Sequence, residues 1–186
     1  PGCQETDFKV NLPMKRGFII LSLLLLATSC ERNSYATFSS KYKVFFSCAT
    51  SVAPYNQLNT PGRFLSVRKT EGKLVITDSD GQKFEETLSE VKNSSFLMGL
   101  SGLIIGTPTF NNDNMSIWAY DLGCPECDAP TTRLKFDLKG TASCSKCNGA
   151  WNLNADGSCV NTDGKQHRPL YRYPTTFNNG IFTVSN

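Results

Sequence analysis

Histidine is almost missing from this chain. His167 is the only one among 186 residues, which leaves a Ser-His-Asp arrangement a single candidate base and denies a His-rich zinc enzyme its ligands. A dominant charge is missing too. The 19 basic and 16 acidic residues leave a net charge of +3, and no concentrated basic stripe offers a surface for nucleic acid. No apolar run reaches the roughly 20 residues that a membrane-spanning helix needs. After the first thirty residues there is no sustained 3.6-residue apolar period either. What remains, with 39% hydrophobic and 11% aromatic residues, is the composition of a globular protein, long enough for one domain with additional segments.

The first segments read as an address. Residues 1–13 show neither periodicity nor turn logic and have the character of upstream read-through. From Met14 onward, Lys15 and Arg16 form a positive region, Gly17 to Ala27 an apolar core, and Ala27-Thr28-Ser29 a small-residue cleavage site, the three parts of a secretory signal peptide spanning 14–29. Cleavage there would expose Cys30. Leu26-Ala27-Thr28-Ser29-Cys30 resembles the lipobox of bacterial lipoproteins, which implies a diacylglycerol thioether at Cys30 and an exported protein anchored to the bacterial membrane, facing the periplasm or cell surface. Several acyl chains, at about 0.8 kcal/mol per buried methylene, hold a protein at a bilayer where one would not. A plain cleaved signal with a structural Cys30 is the alternative. Residues 30–41 are polar and aperiodic and read as a tether, leaving 42–186 as the folded domain.

Within that domain short β-like runs alternate with turn residues. Tyr42 to Phe46 and Arg63 to Val67 read as strands, the second entered through Asn59-Thr60-Pro61-Gly62. Lys73 to Thr77 runs through Asp78-Ser79-Asp80-Gly81 into Gln82 to Thr87, a hairpin. Phe96 to Ile105 is nearly all apolar, broken by Gly99 and Gly102, and Ser116 to Asp121 adds an aromatic-bearing strand. The glycines at 99, 102 and 106 do not make a phosphate loop, because no helix follows to present its N-terminus. Trp118, Tyr120 and Trp151 on alternating strands are expected in the core. The acids Asp78, Asp80, Glu85 and Glu86 are expected to be solvated, and no catalytic residue is assigned.

The chemistry lies in the cysteines. Of the eight, Cys124-Pro125-Glu126-Cys127 and Cys144-Ser145-Lys146-Cys147 form two CxxC pairs whose separation falls in the range of four-cysteine zinc sites. A CxxC on a tight turn puts two thiolates on one side of the backbone. Two such turns face to face make a near-tetrahedral sulfur cage. Asp128 and Asn148-Gly149, next in sequence, tolerate the left-handed backbone such turns demand. Disulfides are the competing reading, since an exported protein meets an oxidising compartment. Cys48 and Cys159 stand outside the pattern, either bridged or simply buried.

Cys124 to Asn186, with two ligand loops, Trp151-Asn152-Leu153-Asn154, Asp156-Gly157, Arg168 to Pro174 and a last strand Gly180 to Val184, resembles the cluster-binding and closing part of Rieske iron-sulfur proteins. Leu58 to Asp121, with Thr60 to Phe64 and Ala119-Tyr120-Asp121, is similar to the base strands of secreted Rieske-like lipoproteins. The resemblance implies an all-β fold, a Rieske-like antiparallel β-sandwich or barrel carrying a rubredoxin- or zinc-ribbon-like metal-binding subdomain at about 122–160. The ligands depart from the family. Cys127 and Cys147 stand where a Rieske centre has its two histidines, so a cluster with two His on one iron should not form. Four thiolates leave either zinc or an oxidised 2Fe-2S unit at a formal charge of about −2, which Arg133, Lys135, Lys139 and Lys146 could offset if they are more than a solvated face.

Three functions follow as expectations. The first is a membrane-anchored envelope protein holding one structural zinc or rubredoxin-like iron through Cys124, Cys127, Cys144 and Cys147. The second is an electron carrier with a four-cysteine 2Fe-2S cluster, its potential moved from the Rieske range of about −150 to +300 mV toward about −400 mV and serving a redox or envelope protein partner. The third is a surface binding module, for which the sequence offers no pocket signal. An enzyme is disfavoured, because four protein sulfurs leave no open coordination position.

Overall fold

The computed structural model describes residues 38–110, 116–160 and 164–186. The signal segment, Cys30 and most of the tether lie outside the described residues. The described chain is nearly all β and antiparallel, and no helix in it is long and apolar enough to cross a membrane.

The strands are β1 (Val44–Ala49), β2 (Phe64–Thr70), β3 (Lys73–Asp78), β4 (Lys83–Thr87), β5 (Leu97–Met98), β6 (Leu103–Gly106), β7 (Trp118–Asp121), β8 (Lys135–Phe136), β9 (Thr141–Ser143), β10 (Ala150–Asn152), β11 (Ser158–Cys159), β12 (Arg172–Tyr173), β13 (Thr175–Asn178) and β14 (Ile181–Ser185). They form a six-stranded sheet in the order β12-β7-β6-β2-β3-β4, a four-stranded sheet β13-β14-β1-β5, and a small sheet β11-β10-β9-β8.

The large sheet is the middle layer, and its sequence shows why. Along β2, β6 and β7 alternate residues enter different cores: Leu65, Val67, Leu103, Ile105 and Ala119 join Val44, Phe46, Phe182 and Val184 of the four-stranded sheet. Phe64, Ile104 and Tyr120 join Trp151 of the small sheet and Leu134 and Leu153 beside its strands, together with Cys124 and Cys144. A strand covered on both faces has no side to leave polar. That accounts for the unbroken apolar run of β6, buried at all four positions. The expected hairpin β3–β4 forms, with Val75 opposite Glu85.

One helix was not expected. Helix α1 (Glu90–Ser95) is a single exposed segment capped by Ser89, whose hydroxyl accepts the Lys92 N–H, and none of its residues is buried. Without a buried stripe it leaves no apolar period in the sequence.

One expectation is corrected in detail, and contacts are seen at the end of the segment 30–41. Asp78 is 6% exposed, not a solvated turn acid; its carboxylate accepts the N–H groups of Asp80 and Gln82 and folds the turn around itself. The end of the tether is bound to the domain. Ser39 N–H donates to the Arg172 carbonyl at 2.7 Å, and the Phe38 ring lies 5.4 Å from the Arg172 guanidinium.

Candidate metal centre

The two CxxC turns leave the protein at different points and are built alike. The first follows β7 and Gly123, which bridges to Arg133; the second joins β9 to β10. In the first, Asp128 N–H closes the turn on the Cys124 carbonyl at 2.9 Å, and Cys124 N–H donates to the Thr132 carbonyl at 3.0 Å. In the second, Asn148 N–H closes on the Cys144 carbonyl at 2.9 Å, and Cys144 N–H donates to Gly149 at 3.0 Å. Both closing residues are left-handed, Asp128 at φ 48° and Asn148 at φ 60°, as the sequence predicts for Asp and Asn in those positions.

The turns converge. The sulfurs of Cys124, Cys127, Cys144 and Cys147 all lie within 4.8 Å of one another. Two of the contacts run between the turns: Cys124 to Cys147 at 3.5 Å and Cys127 to Cys144 at 3.8 Å. A tetrahedron of zinc–sulfur bonds of about 2.3 Å has edges of about 3.8 Å, so these four residues can hold one metal ion. All four thiols are free, as are Cys48 and Cys159, and no disulfide occurs among the described residues. Cys48 packs in the base core while Cys159 packs against the metal-side core.

The backbone prepares the sulfurs unequally. Burial pushes the Cys124 thiol up, against the N–H groups of Cys127 and Glu126 that point at it. At Cys144 the same desolvation is outweighed, first by the N–H of Cys147 and then by that of Lys146, and the thiol lies below its ordinary range. Cys144 is therefore a readier thiolate than Cys124, and the thiolate is the form that binds metal.

Asp121 fixes the first turn from below. It is fully buried at the end of β7, and its carboxylate accepts Leu100 N–H and Gly123 N–H at 2.6 Å each, the Tyr173 hydroxyl at 2.7 Å and Ser101 N–H at 3.3 Å. Burial pushes this carboxyl up while those four donors hold it down, and the balance is upward. Gly99, at φ 65°, is required beside it: a Cβ there would come within 2.3 Å of the Asp121 carboxylate. Sequence reading placed Asp121 only as a strand end, because nothing local distinguishes it from any other polar residue closing a strand.

Contacts from elsewhere in the chain hold the rim. Asp128 accepts the Tyr42 hydroxyl at 2.6 Å and the Tyr171 hydroxyl at 3.0 Å and pairs with Lys41; the Lys41 ammonium beside it holds its carboxyl down to about 2. Glu126, inside the first turn, accepts Arg168 N–H at 2.5 Å, which lowers its carboxyl. Trp151, fully buried, donates its indole N–H to the Arg168 carbonyl at 2.8 Å. Gly149 passes so close to that ring that a Cβ would meet it at 2.6 Å. His167 lies beside Trp151, ring centres 5.9 Å apart, and is not part of the cage. Arg133, Lys135, Lys139 and Lys146 are all exposed, the arrangement of a solvated face. Trp151 and Tyr120 are core residues as expected, and Trp118 is half-buried under the Arg172 guanidinium at 4.2 Å.

No protein-family model matches the chain, and no curated protein is significantly similar to it.

Proposed function

We propose that this chain is a Rieske-like, exported and lipid-anchored protein whose four cysteines hold a single structural metal ion, zinc or rubredoxin-type iron, in place of an iron-sulfur cluster. The observation that carries the reading is that all four sulfurs lie within 4.8 Å of one another. In a Rieske-type two-iron centre the first cysteine of each loop binds one iron and the residues at the histidine positions bind the other. Cys124 would then share an iron with Cys144, and Cys127 with Cys147. Contacts of 3.5 Å between Cys124 and Cys147 and 3.8 Å between Cys127 and Cys144 join the two sets across that division, at about the edge length of four sulfurs on a single ion, which favours one ion at their middle.

A structural role agrees with the surroundings. Cys124 and Cys144 are at most 2% exposed and belong to the core that joins the small sheet to the large one. The small sheet is made of strands two or three residues long. Such a sheet has little stability alone, and a structural zinc site can contribute roughly 10–16 kcal/mol of apparent folding free energy. With four protein sulfurs on the ion, none of its positions is left for water or substrate.

Elemental analysis of anaerobically purified protein, with its visible spectrum, tests the centre: one zinc in a colourless protein or one iron without labile sulfide is expected. Two irons with sulfide, or no metal at all, would overturn it. The anchor is tested separately by palmitate labelling, which Cys30→Ala should abolish; retained label would remove the lipid from the reading.

A further inference from the structure

A cavity lies away from the metal-capable cluster, at the corner where the two base sheets part. It measures about 540 Å³, inside the range of roughly 300–1,000 Å³ typical of small-molecule sites. Its existence follows from strand lengths. Strand β5 pairs with only Val44 and Phe45 of β1, so Ser47 to Ala49 have no strand on that side, and β4 is the free edge of the large sheet. The floor is Leu74, Ile76 and Phe96, each at most 4% exposed. Cys48 adds an apolar wall, since burial pushes its thiol up to about 12 and keeps it protonated.

One carboxylate faces this floor. Glu86, pointing inward from β4 between exposed neighbours, accepts the hydroxyl of buried Tyr55 at 3.1 Å and the Lys92 ammonium at 3.4 Å. Glu85, the other acid of the lining, is paired with Lys73 at 3.2 Å. The Tyr55 proton is committed by burial, but the Lys92 side chain is 54% exposed, and such an exposed pair is held by little energy and exchanges readily. A carboxylate offers about four acceptor sites, of which two are used here.

We propose that this cavity binds a primary amine with a hydrocarbon tail, the tail lying against Val52 and Phe84 above the buried Leu74, Ile76 and Phe96, and the ammonium seated on Glu86 in place of Lys92. Charge selects the head group, because the lining carries two carboxylates, Glu85 and Glu86, against the single ammonium of Lys92. The site is independent of the metal centre, which occupies the opposite core.

The test is calorimetric titration of the metal-loaded full chain with decylamine, decanoate and decanol, each below its micelle concentration. Decylamine should bind once per chain, at least about tenfold tighter than either of the others. Glu86→Gln should weaken decylamine by about tenfold, Lys92→Ala should tighten it by removing the competitor, and Val52→Trp should block the entrance. Val52 lines the cavity and is 57% exposed, so that last change leaves the fold intact. Equal binding of decanoate, an unchanged affinity in Glu86→Gln, or no binding by any of the three would overturn the proposal.

Discussion

Replacing Asp121 by Asn changes a single atom in the molecule's most heavily bonded carboxylate. Its oxygens divide the donors in two sets: one accepts Leu100 N–H and the Tyr173 hydroxyl, the other Gly123 N–H and Ser101 N–H. An amide must put its NH2 toward one set. Toward the second it faces two backbone donors that cannot turn. Toward the first it faces one such donor and a phenol that can rotate to accept. The second arrangement is the cheaper, and it still leaves the Leu100 N–H without an acceptor in a buried site, a loss of about 1–3 kcal/mol. The bonds that survive lose their charge assistance, roughly half their strength. Removing a buried charge offsets part of this, because burial acts against the carboxylate. The expected sum is a destabilisation of about 2 kcal/mol, concentrated in the turn from Gly99 to Gly102 and in the first CxxC turn. Urea unfolding of metal-loaded protein at neutral pH measures the sum, and competition with a chelator measures whether the metal is held less tightly. A variant as stable and as retentive as the parent would refute the view that this carboxylate sets the first turn.

Three further outcomes are expected. Cys124→Ser and Cys147→Ser should each purify without stoichiometric metal and lose protection of the amides in β8 to β11 in hydrogen exchange; metal at parental content in both would dissolve the centre. Gly149→Ala should cost about 1–3 kcal/mol, because its new Cβ meets a buried indole that is hydrogen-bonded to Arg168 and cannot retreat, as read from thermal unfolding. Asp128 is ionised more readily in the folded chain, its carboxyl held at about 2 against an ordinary value of about 3.9. Its stabilisation is therefore full above about pH 4 and is lost as the pH falls toward 2; Asp128→Asn should flatten that part of the acid unfolding curve, modestly, since solvent screens the pair.

Much of this molecule was legible before any coordinates. The clustering of Cys124, Cys127, Cys144 and Cys147 was, because a site able to hold a metal writes itself as residue type at fixed spacing, and the left-handed closures at Asp128 and Asn148 follow from the same turn. The strands from Phe64 to Thr87 were legible through alternation and turn residues. What escaped was of another kind. Asp121 reaches partners 20 and 52 residues away, and Lys41 meets Asp128 across 87 positions; no window along the chain contains both ends of such contacts. Asp78 was misplaced because a turn acid that accepts its own backbone N–H groups has the same letters as one facing water. The cavity beside Glu86 arises from a strand that stops after two residues, and sequence periodicity does not report where a strand stops.

The grip on Asp128 also decides how the domain would respond to being pulled. A load arriving through the segment before Phe38 first strains the ring of Phe38 against Arg172, then the Lys41 and Tyr42 contacts to Asp128, one residue beyond the ligand Cys127. Only after these yield would it reach β1, which is paired with β14 from Phe45 to Ala49 and with β5 at Val44 and Phe45. Tension would thus be felt at the sulfur cage before the sandwich, making the clasp a weak link in series that gives way early and spares the sheets behind it.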